Sequence, residues 1–225
     1  MSTTDALSPE TTLADLATKH TAASRVFHAH GLDFCCHGQI PLSQACTAAN
    51  LDPNAILDEI RAATRSDEPS ESWDERPLPE LIDHILTAYH EDHRSELPRL
   101  IEMAEKVERV HAEKPTCPAG LAANLHAIQA DLDMHMMKEE EILFPLIRSG
   151  RGQMAGGPIQ VMEREHEDVA RLLERQRELT SNYNPPEEAC NTWRALFLGC
   201  KDLERALMEH IHLENNVLFP RALRG

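Results

Sequence analysis

In 225 residues, 38 acidic side chains outnumber 22 basic ones and leave a net charge of −16; no basic block is available to follow a phosphate backbone, which argues against nucleic acid as a partner. The length suffices to bury a core without disulfide staples, and no run approaches the roughly 20 apolar residues that span a bilayer. The opening MSTTDALSPE has neither a basic nor an apolar leader region, and with no membrane segment the expected location is cytoplasmic. Six cysteines (35, 36, 46, 117, 190 and 200) contain no C-x-x-C pair, which suits a reducing compartment.

Ala, Leu, Glu, Arg, Lys and Met dominate the coarse pattern, and no alternating β-branched run stands between turns, so the fold class is all-α. From Thr11 to about Arg65 four short helices are expected: TTLADLATKH, TAASRVFHAH stopped by Gly31, LSQACTAAN, and a fourth entered through Asp52 as N-cap and Pro53 at the first helical position. Residues 65 to 79, RSDEPSESWDERPLP, lack apolar periodicity and read as a linker. Four long periodic segments follow, at about 80–111, 118–149, 157–180 and 187–222, separated by KPTCP, GRGQMAGG and NYNPP. Short connections between four helices predict an up-down-up-down bundle. The expected division is therefore an N-terminal short-helix domain at 1–65, a linker at 66–79 and a bundle at 80–225.

The bundle half repeats itself. HMMKEEEILFP from His135 and HIHLENNVLFP from His210 share the pattern H-x-x-x-E-x-x-x-L-F-P, and YHED around His90 matches EHED around His166. Each half thus supplies one His from its first helix and a His and a Glu from its second. At 3.6 residues per turn, His135 and Glu139 share one face a turn apart, as do His210 and Glu214. In an antiparallel bundle, positions at similar depth converge. Counting 1.5 Å per residue, His90 lies ~31 Å before its helix end and His135 ~26 Å after its helix start; His166 and His210 give ~21 Å against ~34 Å, a mismatch that puts the ends near 180 and 187 in question. Four imidazoles and two carboxylates form a mixed N/O set that suits iron or manganese better than a structural zinc site. Six such ligands imply two metals, with Glu139 and Glu214 bridging, an oxo or hydroxo bridge, and one open position on each ion.

The remaining histidines fit less well. His93 has Val169 as its equivalent in the repeat, His84 has no equivalent, His212 points to the side opposite His210, and His126 is expected to line the core without binding. Glu140, Glu141, Glu163, Glu167 and Glu209 are expected in solvent or around the ligands. Leu143 and Leu218 continue the inward face, Met136 and Met137 pack in the core or on a neighbouring helix, and Pro145 and Pro220 kink or end their helices.

HMMKEEEILFP, HIHLENNVLFPRAL, YHEDHR, KVERVHAEKP and GLDFCCHG together closely resemble the repair-of-iron-centres (RIC, YtfE/ScdA) family of hemerythrin-like di-iron proteins, over about residues 12 to 225. The resemblance implies a short domain with two adjacent cysteines before a four-helix bundle holding two non-haem irons, on His90, His135, His166 and His210 with Glu139 and Glu214 bridging. It implies repair of iron–sulfur clusters damaged by nitrosative or oxidative stress, with damaged iron–sulfur proteins as recipients of donated iron. Nitric oxide reduction at the two irons, or binding and sensing of oxygen or nitric oxide, are the alternatives; whether the chain is an enzyme stays open, and a homodimer is compatible with the sequence. One local departure is His37 in CCHG, where a small residue is expected.

For Cys35 and Cys36, a lasting disulfide would strain the intervening peptide, and adjacent residues rarely turn both sulfurs toward one ion. A thiolate beside His37 would be more reactive than a buried thiol; two small buried hydrophobes are the plainer alternative.

Overall fold

The computed structural model describes residues 7–66 and 73–225; the expected linker at 66–79 falls in part outside them. Every regular element among the described residues is helical, as the composition predicts. Helices α1 (Leu13–Lys19), α2 (Thr21–Ala29), α3 (Leu42–Ala49) and α4 (Pro53–Ser66) form the N-terminal set. Helix α1 starts where Thr12 Oγ1 accepts from the Asp15 amide at 3.1 Å, and α4 starts where Asp52 Oδ1 accepts from the Asn54 amide at 2.9 Å; both are N-caps that satisfy an otherwise orphaned donor. Gly31, at φ +67°, ends α2 by the left-handed turn that only glycine makes without strain.

Four long rods follow. The first joins α5 (Leu78–Ile85) and α6 (Glu91–Val110) through a π-helical turn, Leu86–His90; the second joins α7 (Leu121–Lys138) and α8 (Phe144–Arg148) through another, Glu139–Leu143. The third is α9 (Gly156–Leu179), and the fourth joins α10 (Asn191–His212) and α11 (Phe219–Arg224) through a third π turn, Leu213–Leu218. Pro145 and Pro220 were expected to kink or end their helices. Each instead sits just beyond a π turn whose last bond runs five residues, from the Phe144 amide to the Glu139 carbonyl and from the Phe219 amide to the Glu214 carbonyl. The widened turn relieves the clash of the proline ring with the preceding turn, so the helix continues. The fourth rod starts at Asn191 rather than 187 because residues 181–183 take left-handed backbone, at φ 50°, 54° and 62°. This brings His210 to ~29 Å from its helix start and removes part of the depth mismatch.

By internal contacts the chain divides into two units, Met1–Leu81 with Met208–Arg221, and Ile82–Leu207 with Ala222–Gly225. The boundary at 207 falls inside α10, which is unbroken. In the first unit Leu13, Leu16, Phe27, Phe34, Leu42, Ile56, Leu57 and Ile60 make the core. Residues of the C-terminal helix complete it: Phe34 lies 5.6 Å from the His212 ring and 6.0 Å from Phe27. His212 accepts or donates at the Thr18 hydroxyl (3.2 Å) and lies 3.3 Å from the Phe34 carbonyl, while the Asn216 amide donates to the Cys35 carbonyl at 3.0 Å. Burial pushes His212 down to about 4, so it is neutral at physiological pH. In the second unit α7 packs against α6 and α9, and Gln176 of α9 donates to the Cys200 carbonyl of α10 at 3.1 Å. No helix among the described residues is long and apolar enough to cross a membrane.

Phe34 is fully buried, so Phe34→Ala is expected to destabilise the folded protein by about 3–5 kcal/mol. Leu198→Ala, at a position that is 61% exposed, should change stability by less than about 0.5 kcal/mol. Urea unfolding of the full chain reads both.

Candidate metal centre

Three of the six expected ligand positions lie at or inside a π turn: His90 ends the first, Glu139 begins the second and Glu214 lies in the third. Such turns are rare, and they place side chains at angles a regular helix does not reach. His90, His135, His166, His210, Glu139 and Glu214 are all buried. Charge without water at this depth needs a partner.

Outer partners fix how the imidazoles are presented. His90 Nδ1 donates to Glu140 Oε1 at 2.7 Å, and Arg94 holds the same oxygen at 2.9 Å. His135 Nδ1 donates to Glu165 Oε2 at 3.1 Å, and Lys138 pairs with the other oxygen of Glu165. Burial alone would raise both carboxyls, but His90 and Arg94 hold Glu140 below the usual carboxylate range, and Lys138 and His135 do the same for Glu165. With Nδ1 bonded outward, each ring turns its Nε2 inward.

What those nitrogens face is unusual. His90 Nε2 lies 3.4 Å and His135 Nε2 3.5 Å from the same oxygen, Glu139 Oε2, and His166 Nε2 lies 3.1 Å from His135 Nε2. Neither oxygen of Glu139 receives a hydrogen bond. His90 and His135 thus present ring nitrogens to a buried carboxylate that has no hydrogen-bond partner, an arrangement a cation would join through both kinds of donor. On the unbroken α10 and the π turn after it, His210 Nε2 stands 3.1 Å from Glu214 Oε1. Nitrogen with carboxylate oxygen is the donor set of non-haem iron or manganese.

A family model described as the hemerythrin HHE cation-binding domain matches residues 81–222, and one described as a domain of unknown function, ScdA_N, matches residues 9–64. The chain is 54% identical over 213 residues to the iron-sulfur cluster repair protein YtfE of Yersinia pseudotuberculosis serotype IB (strain PB1/+), a span covering 95% of this chain and 96% of that protein. It is 53% identical over a span of the same length to the protein of that name from Yersinia pestis (strain Pestoides F). The chain belongs to the YtfE/ScdA family of hemerythrin-like proteins. All six expected ligand positions fall within the span of the hemerythrin match.

Not every histidine of this YtfE/ScdA-family chain lies where its spacing suggests. His126 is at the surface, 3.2 Å from Glu105, with 55% of its side chain exposed, because nine residues at 3.6 per turn put it on the side of α7 opposite His135. Met136 is buried, but Met137 is 39% exposed. His93 is fully buried and lies 6.2 Å from the Tyr89 ring. Glu140 was among the carboxylates expected near the ligands. Glu165 was missed; its only signal in the sequence is its place in REHED, one residue before His166, which does not reveal that it serves His135 across the helix pair.

The thiols depart from expectation more sharply. His37 Nδ1 lies 2.6 Å from Asp33 Oδ2. Cys35 Sγ donates to Asp33 Oδ1 at 3.3 Å. The bond with Cys36, then burial, then the charge of Asp33 hold the Cys35 thiol well above its ordinary range. Both cysteines are free thiols, and their sulfurs, expected to diverge, lie 3.8 Å apart.

The unpartnered carboxylate gives Glu139→Gln a sign that depends on metal. In metal-free protein it removes a buried charge that has no hydrogen-bond partner, so the variant should be more stable than the parent by about 1–3 kcal/mol. In iron-loaded protein it should be less stable. Thermal unfolding with and without a chelator reads the inversion; destabilisation in both states contradicts it.

Proposed function

We propose that the chain holds two non-haem iron ions on His90, His135, His166 and His210, with Glu139 and Glu214 bridging, and uses iron to repair iron–sulfur clusters damaged by nitrosative or oxidative stress. The observation that carries this reading is the set of buried Nε2 atoms turned on Glu139 Oε2 with no hydrogen bond to either carboxylate oxygen. The relatives named for iron–sulfur cluster repair support the role. Iron bound there would supply open coordination positions for a small ligand such as oxygen or nitric oxide, and is itself the cargo in donation to a damaged protein.

The chain's own residues do the rest. Glu140 and Glu165 fix the tautomers of His90 and His135, so that neither ring must lose a proton to take up iron. Both carboxylates are partly exposed, 31% and 27% of their side chains, so they link the outer nitrogen of each buried ring to solvent. Phe144, itself buried, stacks 5.8 Å from His90 and covers that ring with an apolar face. In this reading residues 1–65 act as the thiol domain and 80–225 as the iron-holding bundle, in the cytoplasm, with damaged iron–sulfur proteins as recipients.

Reactivation of a nitric-oxide-damaged [4Fe–4S] enzyme tests the role. The iron-loaded protein should restore activity at least about tenfold faster than the His135→Ala, Glu139→Ala variant. Equal reactivation by the two proteins contradicts a repair function that depends on these residues.

A further inference from the structure

The segment 33–37 lies outside the histidine and glutamate clusters, yet its side chains converge as closely as theirs. One ligand atom each from Asp33, Cys35 and Cys36 lies within 4.8 Å of the others. A tetrahedral ion with metal–sulfur bonds of about 2.3 Å sets two sulfurs about 3.8 Å apart, and a sulfur and a carboxylate oxygen about 3.6 Å apart. The observed separations are 3.8 Å between the sulfurs and 3.3 Å from Cys35 Sγ to Asp33 Oδ1.

The loop is held in shape from two sides. Asp33 Oδ1 accepts from the amides of Cys35 (3.1 Å) and Cys36 (3.0 Å), which aims the carboxylate back over the thiols. The backbone is clamped from outside, where Asn215 and Asn216 donate to the Cys35 carbonyl at 3.3 and 3.0 Å. Side chains on a loop fixed in this way lose little further freedom on binding an ion. Cys35 is buried, Cys36 and Asp33 are half-buried and His37 is exposed, so an ion has a way in from the Cys36 side.

We propose that Asp33, Cys35 and Cys36 form a second metal site, separate from the bundle clusters, which takes a thiophilic divalent cation of the zinc type through two thiolates and one carboxylate and leaves a fourth position open. Binding breaks the two S–H bonds and forms two metal–sulfur bonds; both protons pass to the buffer and no electron moves. His37 is a positioning residue: its ring holds Asp33 Oδ2 and leaves Oδ1 facing the sulfurs. An open fourth position makes the site one of exchange rather than of structure.

Cobalt(II) is the probe, added to the full-length, iron-loaded protein. Histidine and carboxylate ligands give no thiolate-to-cobalt charge transfer, so in the difference spectrum against the iron-loaded protein that absorption reads cysteine ligation, even if cobalt also exchanges into the bundle, and the serine variant assigns it to the 33–36 site. The expected result is a near-ultraviolet charge-transfer band saturating at one cobalt per chain with release of about two protons. The band should be lost in Cys35→Ser, Cys36→Ser protein that keeps its helical circular dichroism and its iron. Asp33→Asn and His37→Ala should each keep the one-to-one end point but weaken binding about 10–100-fold. The proposal is overturned by absence of the band in the parent, or by a band of equal intensity in the double serine variant, which would assign it to other cysteines. Should the double variant fail to fold, Asp33→Asn decides, an unchanged affinity there overturning the site. None of these readouts depends on repair activity.

Discussion

Glu139 is a buried carboxylate without a hydrogen-bond donor, and most of what is distinctive in the bundle makes sense only as its surroundings. Left alone, an unpaired charge at this depth costs several kcal/mol. Two imidazole nitrogens are aimed at the same oxygen. The fold keeps them there by anchoring each ring from behind, through Glu140 with Arg94 and through Glu165 with Lys138. In the proposed reading a bound cation recovers the stability given up locally, as functional sites commonly arrange.

The fourth rod serves two masters on opposite faces. His210 and Glu214 face each other on one side of the helix, while His212, Asn215 and Asn216 bind the backbone of Phe34 and Cys35. His212 can fill this role because burial holds it neutral, leaving one ring nitrogen to donate and one to accept. A substitution at His212 would therefore act on the N-terminal helices while leaving the ligand face of the rod in place.

Much of this was legible in the sequence. The all-α class, the four short helices, the Asp52 cap and the four rods follow from periodicity and capping, which are local. The repeat singled out His90, His135, His166, His210, Glu139 and Glu214 because duplication preserves spacing even where each half alone would be an ordinary surface pair. The π turns were not legible, since an apolar period does not record whether a backbone bond spans four residues or five, and the prolines beyond them suggested breaks instead. Glu165 escaped because it serves a histidine on another helix, and the three left-handed residues at 181–183 escaped because none of them is glycine. The sulfurs of Cys35 and Cys36 converge because Asp33 curls the loop around its own carboxylate, a contact that adjacency alone does not suggest.

The central claim is that two irons sit among these six side chains. Anomalous diffraction at the iron edge from crystals of the iron-loaded protein tests it most directly. Two peaks per chain among these six side chains are expected, both vanishing in the His135→Ala, Glu139→Ala variant. A single peak, or iron located elsewhere in the chain, would contradict it.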